Sequence, residues 1–424
     1  LQPQRGLPRG LTVVRAQLSA GILSEEAREE AQGILRACVH CGFCNATCPT
    51  YQLLGDERDG PRGRIYQIRA LLEGETAGPE TQTHLDRCLT CRACESTCPS
   101  GVRYARLLDL AKPVLEQQVP RTAGSGAVRW LLRVLIPSSG LGALIAVGRL
   151  LRGVLPAILR RHVPLSRPTG DWPQPRHAEQ WLALEGCAQA AARPSINAAA
   201  ARLLDRFGKS LLKTPETRCC GALAYHLGDQ EGAKVHARRN IDAWAPALES
   251  GAAGVFSASS GCSVFLKEYA ELLRDDPRYA ARARLVAERA RDATEVFSPD
   301  ALSTAGTQSR ERIAIQCPCT LQHGLRAGGQ LEALVTASGA QRCDVADAHL
   351  CCGSAGTYSV LQPTLSRRLR ARKVKALVAD SPDRILTANI GCLLHLENST
   401  SQPVEHWLEW ADEIVGKTER GGLN

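Results

Sequence analysis

The sequence predicts an α+β multidomain chain in which a helical, cysteine-organised N-terminal domain precedes two repeated α/β domains. Three observations predict it. First, eight of the 18 cysteines fall in two matching runs, "CVHCGFCNATCP" from Cys38 and "CLTCRACESTCP" from Cys88. Each run is spaced C-x2-C-x2-C-x3-C-P, and every cysteine of the second lies 50 positions after its counterpart in the first. Second, further cysteines recur at offsets of 130, 132, 132 and 130, pairing Cys187 with Cys317, Cys219 with Cys351, Cys220 with Cys352 and Cys262 with Cys392. Such regularity marks two copies of one supersecondary unit. Third, strand-like runs such as "WLALEG" and "RIAIQ" alternate with helical stretches such as "SINAAAARLLDRFG" and "PTLSRRLRARKVKALVAD", the pattern of a parallel α/β layer.

In order along the chain, a polar arm leads into a helix, "LSEEAREEAQGILRA", with Ser24 as its N-cap and glutamates in its first turn. The first cysteine run follows. Gly60-Pro61 then supplies a turn, and Ile65, Ile68, Leu71 and Leu72 recur at helical spacing, so a helix links the two cysteine loops. From about 115 to 175 the cysteines vanish and Leu, Arg, Gly and Pro dominate. That segment is strongly apolar, but Arg133, Pro137, Arg149 and Arg152 break it well short of a membrane-spanning run. It reads as helices packed between domains, with a basic amphipathic helix at a membrane interface as the alternative. The domains expected are therefore 1–115, a helical connector over 116–175, a first repeat over 176–305 and a second over 306–424.

At 424 residues and 44% hydrophobic content the chain is long and apolar enough for several cores. The cysteines are clustered and no secretory apolar run opens the chain, so a disulfide scaffold is not expected and the compartment expected is cytoplasmic. A formal net charge of +9 suits an anionic membrane surface or an acidic partner. Nucleic acid is not expected, because only 4% of residues are aromatic and no Lys/Arg run interleaves with stacking rings. There is no methionine, and no physical account of that absence follows from the sequence.

Three cysteines at x2 spacing can wrap one corner of a cubane iron–sulfur cluster, and the x3-Cys-Pro continuation is the two-cluster ferredoxin signature, in which the fourth cysteine ligates the other cluster. The ligand sets expected are thus Cys38, Cys41, Cys44 and Cys98 for one 4Fe–4S cluster, and Cys88, Cys91, Cys94 and Cys48 for the other. Structural zinc also favours C-x2-C pairs, but it needs only four tetrahedral ligands, and the doubled triplet favours the cubane. Two clusters make a relay for single electrons. No flavin, nicotinamide or hydrolase fingerprint is present, so electrons must enter from another protein. His40, inside the first run, is expected to tune rather than ligate.

The second repeat pair carries Cys-Cys-Gly. Adjacent side chains of an extended segment point to opposite faces, so only a turn brings both thiols to one site, and the glycine permits that turn. With Cys187 and Cys262, Cys219 and Cys220 offer four sulfurs. Cys317 and Cys392 complete Cys351 and Cys352 in the same way, leaving Cys319 and Cys343 as extras. These eight form a possible second redox or metal site, against the alternative of buried packing cysteines. His226, His323 and His349 lie near it and either assist or are simply hydrogen-bonded.

The stretches "LRACVHCGFCNATCPTYQLLGDERDGPRGRIYQIRALLEG", "HLDRCLTCRACESTCPSGVRY", "LEGCAQ", "CPCTLQH", "HLCCGSAGTY" and "TANIGC" resemble the iron–sulfur subunits of bacterial glycolate oxidase, or glycolate dehydrogenase. The resemblance runs from about residue 30 onward and is weakest between 115 and 175. It implies two repeated cysteine-rich (CCG) domains and partner flavoprotein subunits that carry FAD and oxidise glycolate to glyoxylate. It also implies a quinone-type acceptor and a peripheral place on the inner face of the cell membrane. The chain is then a subunit of a 2-hydroxy-acid oxidoreductase, without turnover alone. The layout is similar, too, to iron–sulfur subunits of D-lactate and glycerol-3-phosphate dehydrogenases and, in its back half, to a heterodisulfide reductase subunit. In that wider group the last motif is C-x-x-C, whereas Ser259 and Asn389 stand here at its first position.

Overall fold

The computed structural model describes residues 18–156, 160, 163–304 and 309–421. The polar arm expected before residue 18 lies outside them. The chain divides into two compact units, one of residues 1–88 and 94–120 and the other of residues 89–93 and 121–424.

The first unit is helical. Ser24 caps the Glu25–Ala37 helix by accepting from the Ala27 amide, and Glu25 and Glu26 meet the positive end of its dipole. Pro61 opens the Pro61–Leu72 helix and Pro79 the Pro79–Asp86 helix, each at a position whose missing amide costs nothing. These pack with Tyr104–Gln118 around Leu35, Ile65, Ile68, Leu72, Leu107 and Leu108, all nearly inaccessible to water. Behind this core a buried ion network holds the turns. Arg64, 1% exposed, donates to the carbonyl of His84, to Thr50 Oγ1 and to Asp59, and Arg87 donates to the same carboxylate.

The second unit contains two parallel four-stranded sheets. In the first, β1 (Glu179–Leu184), β2 (Lys209–Leu212), β3 (Gly254–Ser257) and β4 (Ala290–Asp292) lie in the order β2-β1-β3-β4. In the second, β5 (Arg312–Gln316), β6 (Gln341–Arg342), β7 (Arg384–Thr387) and β8 (Val404–His406) lie in the corresponding order β6-β5-β7-β8. The central strands are buried and read as short apolar runs, as parallel strands covered on both faces must. In each sheet the order reverses between its first and third strands, so the switch-point crevice opens beyond the C-terminal ends of β1 and β3, and of β5 and β7.

The two repeats share a core. Trp181, Ile196 and Phe256 of the first pack in one cluster with Ile313, Leu386 and Trp407 of the second. The C-terminal Trp407–Gly421 helix reinforces the join, since Asp412 accepts from Arg202 at 2.7 Å and from Arg206 at 2.6 Å. The Ala123–Leu135 and Gly140–Leu150 helices, within the span read as a connector, also belong to this unit, and neither has a buried residue.

Candidate metal centres

The two N-terminal runs fold alike. In the first, His40 and Gly42 take positive φ angles of 54° and 82°; in the second, Thr90 and Arg92 take 51° and 61°. Positions two and four after the leading cysteine are thus left-handed in both copies, three of them with non-glycine residues whose backbone strain costs about 1–2 kcal/mol each. Short helices, Phe43–Ala46 and Ala93–Thr97, close each loop. Cys48 is the N-cap of the Pro49–Leu54 helix, so Pro49 turns the chain away by starting a helix.

A cavity in the first unit is lined by Cys38, Cys41, Cys44 and Cys98, with Pro99 and Arg62. Burial pushes the Cys44 thiol up to about 11, and negative charge on Cys38, Cys41 and Cys98 adds to the rise. The fourth cysteine of the second run therefore faces the first run's triplet. Cys94 reaches the same lining. His40 Nδ1 stands 3.7 Å from Cys38 Sγ and its ring stacks on Tyr66 with centroids 4.4 Å apart, a place beside a ligand. Arg62 donates to the His40 carbonyl and brings a cation to this edge.

Cys48 is buried, its Sγ 3.3 Å from Thr50 Oγ1, which itself donates to the Asp59 carbonyl. Cys48 and Cys88 both act electrostatically on buried Arg64. Tyr104 is decisive for the fit. Its buried hydroxyl has no oxygen or nitrogen partner and lies toward the Cys88 thiol, with Cys88, Arg64 and Cys94 as its strongest electrostatic neighbours. A buried donor left unmade costs about 1–3 kcal/mol; a neutral thiol is only a weak acceptor, and a sulfide-bearing cluster held by those cysteines would supply a stronger one. Cys91, with residues 89–93, falls in the second unit.

In the cysteine-rich repeats each site is a file of four thiols, every one in hydrogen-bond reach of the next. The first runs Cys187, Cys219, Cys220, Cys262. The second runs Cys319, Cys351, Cys352, Cys392, with 3.9 Å between the first two sulfurs. The second file corrects one expectation: Cys319, not Cys317, is the counterpart of Cys187. Leu184 and Gln316 end equivalent strands, and Cys187 and Cys319 each follow by three residues. Cys317 belongs instead to the apolar core that also holds Leu321, Ala327 and Leu331, where burial pushes its thiol up to about 12. Cys343 is buried with its thiol toward the Asp380 carbonyl.

The Cys-Cys-Gly turns work as the sequence requires. Gly221 and Gly353 have φ of 98° and 89°, and each donates its amide to the first sulfur of its own motif at 3.4 Å. A Cβ on Gly353 would stand 2.8 Å from Ser366 O and from Leu369 Cβ. In each copy the outer two thiols follow the switch-point strands, Cys187 and Cys262 after β1 and β3 and Cys319 and Cys392 after β5 and β7, where parallel sheets bind ligands, while the Cys-Cys pair follows the neighbouring strand, β2 or β6. Hydrogen bonds from adjacent thiols, then burial, push Cys187 and Cys319 well above the ordinary thiol range. A metal entering either file has protons to displace.

Ser259 and Asn389 take another role. Each is the N-cap of the helix after its strand, and Asn389 accepts from the Gly391 amide at 2.8 Å. They meet across the shared core, Asn389 Nδ2 donating to Ser259 Oγ at 3.4 Å and to Ser260 Oγ at 3.3 Å. His323 Nε2 lies 3.1 Å from the carbonyl of His349, and His226 sits edge-on to Tyr225 and Phe265.

Three residues that the sequence reading passed over distinguish the files. Lys373, 3% exposed, donates to the carbonyls of Asp347 and Ala348, and the charges of Cys352, Cys351 and Cys392 act on it. In the first repeat, Asn240 and Tyr269 instead bond the carbonyls of Cys219 and Cys220. The second file thus has a buried cation beside it. A signal existed: Leu365, Leu369, Lys373 and Leu377 form one stripe at four-residue spacing, and the lysine alone breaks its apolar character.

Two matching four-cysteine runs, seven of whose cysteines lie in a helical unit, followed in sequence by two parallel-sheet repeats with Cys-Cys-Gly turns, define an iron–sulfur protein. Residues 34–102 match the family described as 4Fe-4S dicluster domain, and residues 181–267 and 313–397 each match the Cysteine-rich domain. Over 403 residues the chain is 48% identical to "Glycolate oxidase iron-sulfur subunit" of Escherichia coli, covering 93% of this chain and 99% of that one. It is 30% identical over 399 residues to "Probable glycolate oxidase iron-sulfur subunit" of Bacillus subtilis, covering 86% and 89%. The chain belongs to the family of glycolate oxidase iron–sulfur subunits. "Lactate utilization protein A" of Shouchella clausii is 28% identical over 206 residues, which is 48% of this chain and 84% of that protein.

Proposed function

We propose that this chain is the electron-transfer subunit of a glycolate-oxidising complex, taking electrons from flavoprotein subunits that convert glycolate to glyoxylate and passing them to a quinone-type acceptor. The observation that carries the proposal is identity of 48% to the E. coli subunit across 93% of the chain, both cysteine runs included. In this reading Cys38, Cys41, Cys44 and Cys98 hold one 4Fe–4S cluster, and Cys88, Cys91, Cys94 and Cys48 hold the other. The joint cavity of Cys98 with the first triplet and the buried Tyr104 hydroxyl beside Cys88 support it.

A 4Fe–4S cluster exchanges one electron at a time. The protein's own residues supply the setting. The left-handed positions shape each loop so that its cysteines converge, Arg62 places a cation beside anionic thiolates, and Tyr104 offers a buried hydroxyl donor. Removing hydrogen from the carbon of a 2-hydroxy acid transfers two electrons and calls for a hydride acceptor such as a flavin. No flavin fingerprint occurs in the sequence, so FAD is assigned to the partner subunits alone. We assign a further metal or cluster to the second cysteine-rich file, Cys319, Cys351, Cys352 and Cys392, where the buried Lys373 offsets thiolate charge. The first file, Cys187, Cys219, Cys220 and Cys262, lacks that lysine.

Reconstitution tests the reading. Anaerobically purified chain, with roughly eight irons from two cubanes plus whatever the second file adds, is mixed with glycolate and a quinone analogue, with and without the flavin subunits. Glyoxylate is expected only when the flavin subunits are present. Glyoxylate from the chain alone would overturn the relay. A complex active on D-lactate but not on glycolate would move the assignment to the lactate-utilising relatives.

A further inference from the structure

We propose that the Ala123–Leu135 and Gly140–Leu150 helices form a docking surface for an anionic lipid bilayer, lying in its interface rather than crossing it. The two helices are inside-out. Trp130, Leu131, Val134, Leu144, Val147 and Leu150 all point to solvent, Leu150 with 84% of its surface exposed. Arg133, Arg149 and Arg152 of the same segment are less exposed and turn toward the protein. Arg149 donates to the carbonyls of Pro164, Leu165 and Ala192, Arg152 to that of Val163, and Arg133 stands 3.7 Å from Asp229. A helix that faces water carries its polar residues outward and its apolar stripe inward. Here the arrangement is reversed over two successive helices, and the apolar patch has no counterpart to pack against within the described residues of its unit.

Charge identifies the occupant. Between Glu116 and Asp171 the sequence has eight arginines, no lysine and no acidic residue, so this segment holds +8 of the chain's formal +9. An exposed apolar patch carried on a segment whose formal charges are all positive matches an anionic headgroup layer above hydrocarbon, the setting in which amphipathic basic helices bind. Trp130 suits the boundary between the two layers. Neither helix is long enough to span alone: helices of 13 and 11 residues reach about 20 Å and about 16 Å, against roughly 30 Å of hydrocarbon. The two also meet at 95°, which turns them away from a single transmembrane axis. This surface is independent of the electron-transfer reading, since lipid binding requires no turnover.

The test is vesicle co-sedimentation of the full cluster-loaded chain, using phosphatidylcholine alone and phosphatidylcholine mixed with phosphatidylglycerol. Binding is expected to the mixed vesicles, to weaken as salt is raised and to be slight on neutral ones. In a Leu131→Glu, Val147→Glu double variant it should fall at least about tenfold, because withdrawing one large aliphatic side chain from hydrocarbon already forfeits what a factor of ten requires. Both sites are exposed, so iron content and thermal unfolding should match the parent and show that the variant folds. No binding by the parent, or equal binding by the variant, would overturn the proposal. So would a variant that keeps its vesicle binding but loses its partner subunits, which would mark the patch as a protein interface.

Discussion

At the scale of single residues, the cysteines divide by what surrounds them. Cys98 faces the triplet of the other run, and the crossed ligand assignment makes a specific prediction. Cys98→Ser should alter the paramagnetic and Mössbauer signature of the cluster held by Cys38, Cys41 and Cys44, and Cys48→Ser should alter the other cluster. Cys98→Ser changing only the cluster on Cys88, Cys91 and Cys94 would mean that each run serves itself. Cys317 shows the opposite case. It is buried like the cysteines of the files, yet it belongs to the apolar core that also holds Leu321, Ala327 and Leu331, so it serves as a small apolar residue. Asn389 shows a third: an amide at the C-x-x-C position caps a helix and reaches Ser259 and Ser260 of the other repeat.

At the scale of elements, the Cys-Cys-Gly turn is the part with least tolerance. Gly353 has φ of 89° and no room for a methyl group between Ser366 and Leu369. Gly353→Ala should therefore combine left-handed strain with a steric clash, costing roughly 2–4 kcal/mol and moving Cys351 and Cys352 out of line with Cys319 and Cys392. Gly356→Ala provides the comparison, because Gly356 has φ of 60° and nothing lies within 4 Å of the place its methyl group would take. It should show the strain without the clash. Thermal unfolding together with metal content of the two variants checks this: Gly353→Ala should lose metal from the second file and Gly356→Ala should retain it. Equal metal loss in both would assign the effect to backbone strain alone.

At the scale of the whole molecule, the two cysteine-rich repeats are one structural body. Trp407, 1% exposed on the helix that ends the second repeat, meets Phe297 of the first edge-on with ring centroids 5.6 Å apart. Trp407→Ala should cost about 3–5 kcal/mol, and the loss should appear in both sheets. Amide hydrogen exchange is the measurement: exchange in β1 and β3 should quicken along with that in β5 and β7. Acceleration confined to β5 and β7 would show that the repeats unfold separately. The same shared core explains why neither repeat needs a large sheet, since each uses the other's apolar residues to cover its strands.

The sequence by itself determined the parts that rest on local spacing. Doubled C-x2-C-x2-C-x3-C-P runs specify loops that wrap a metal cluster, because the spacing sets where thiols can point, and the helices around them follow from Ser24, Pro61 and the apolar periodicity. Repeat offsets and strand–helix alternation likewise specified two parallel-sheet copies and placed their cysteines near strand ends. Only the tertiary structure decided what depends on register and depth. Cys319 replaced Cys317 because sheet register, not sequence offset, determines which thiol clears the strand end. The sequence marks Lys373 as the one break in the apolar stripe of its helix, but its place beside the second file depends on the elements packed above it. The apolar surface of the Ala123–Leu135 and Gly140–Leu150 helices was equally undecided, since composition gives a helix two faces and only the surrounding fold chooses which one meets solvent.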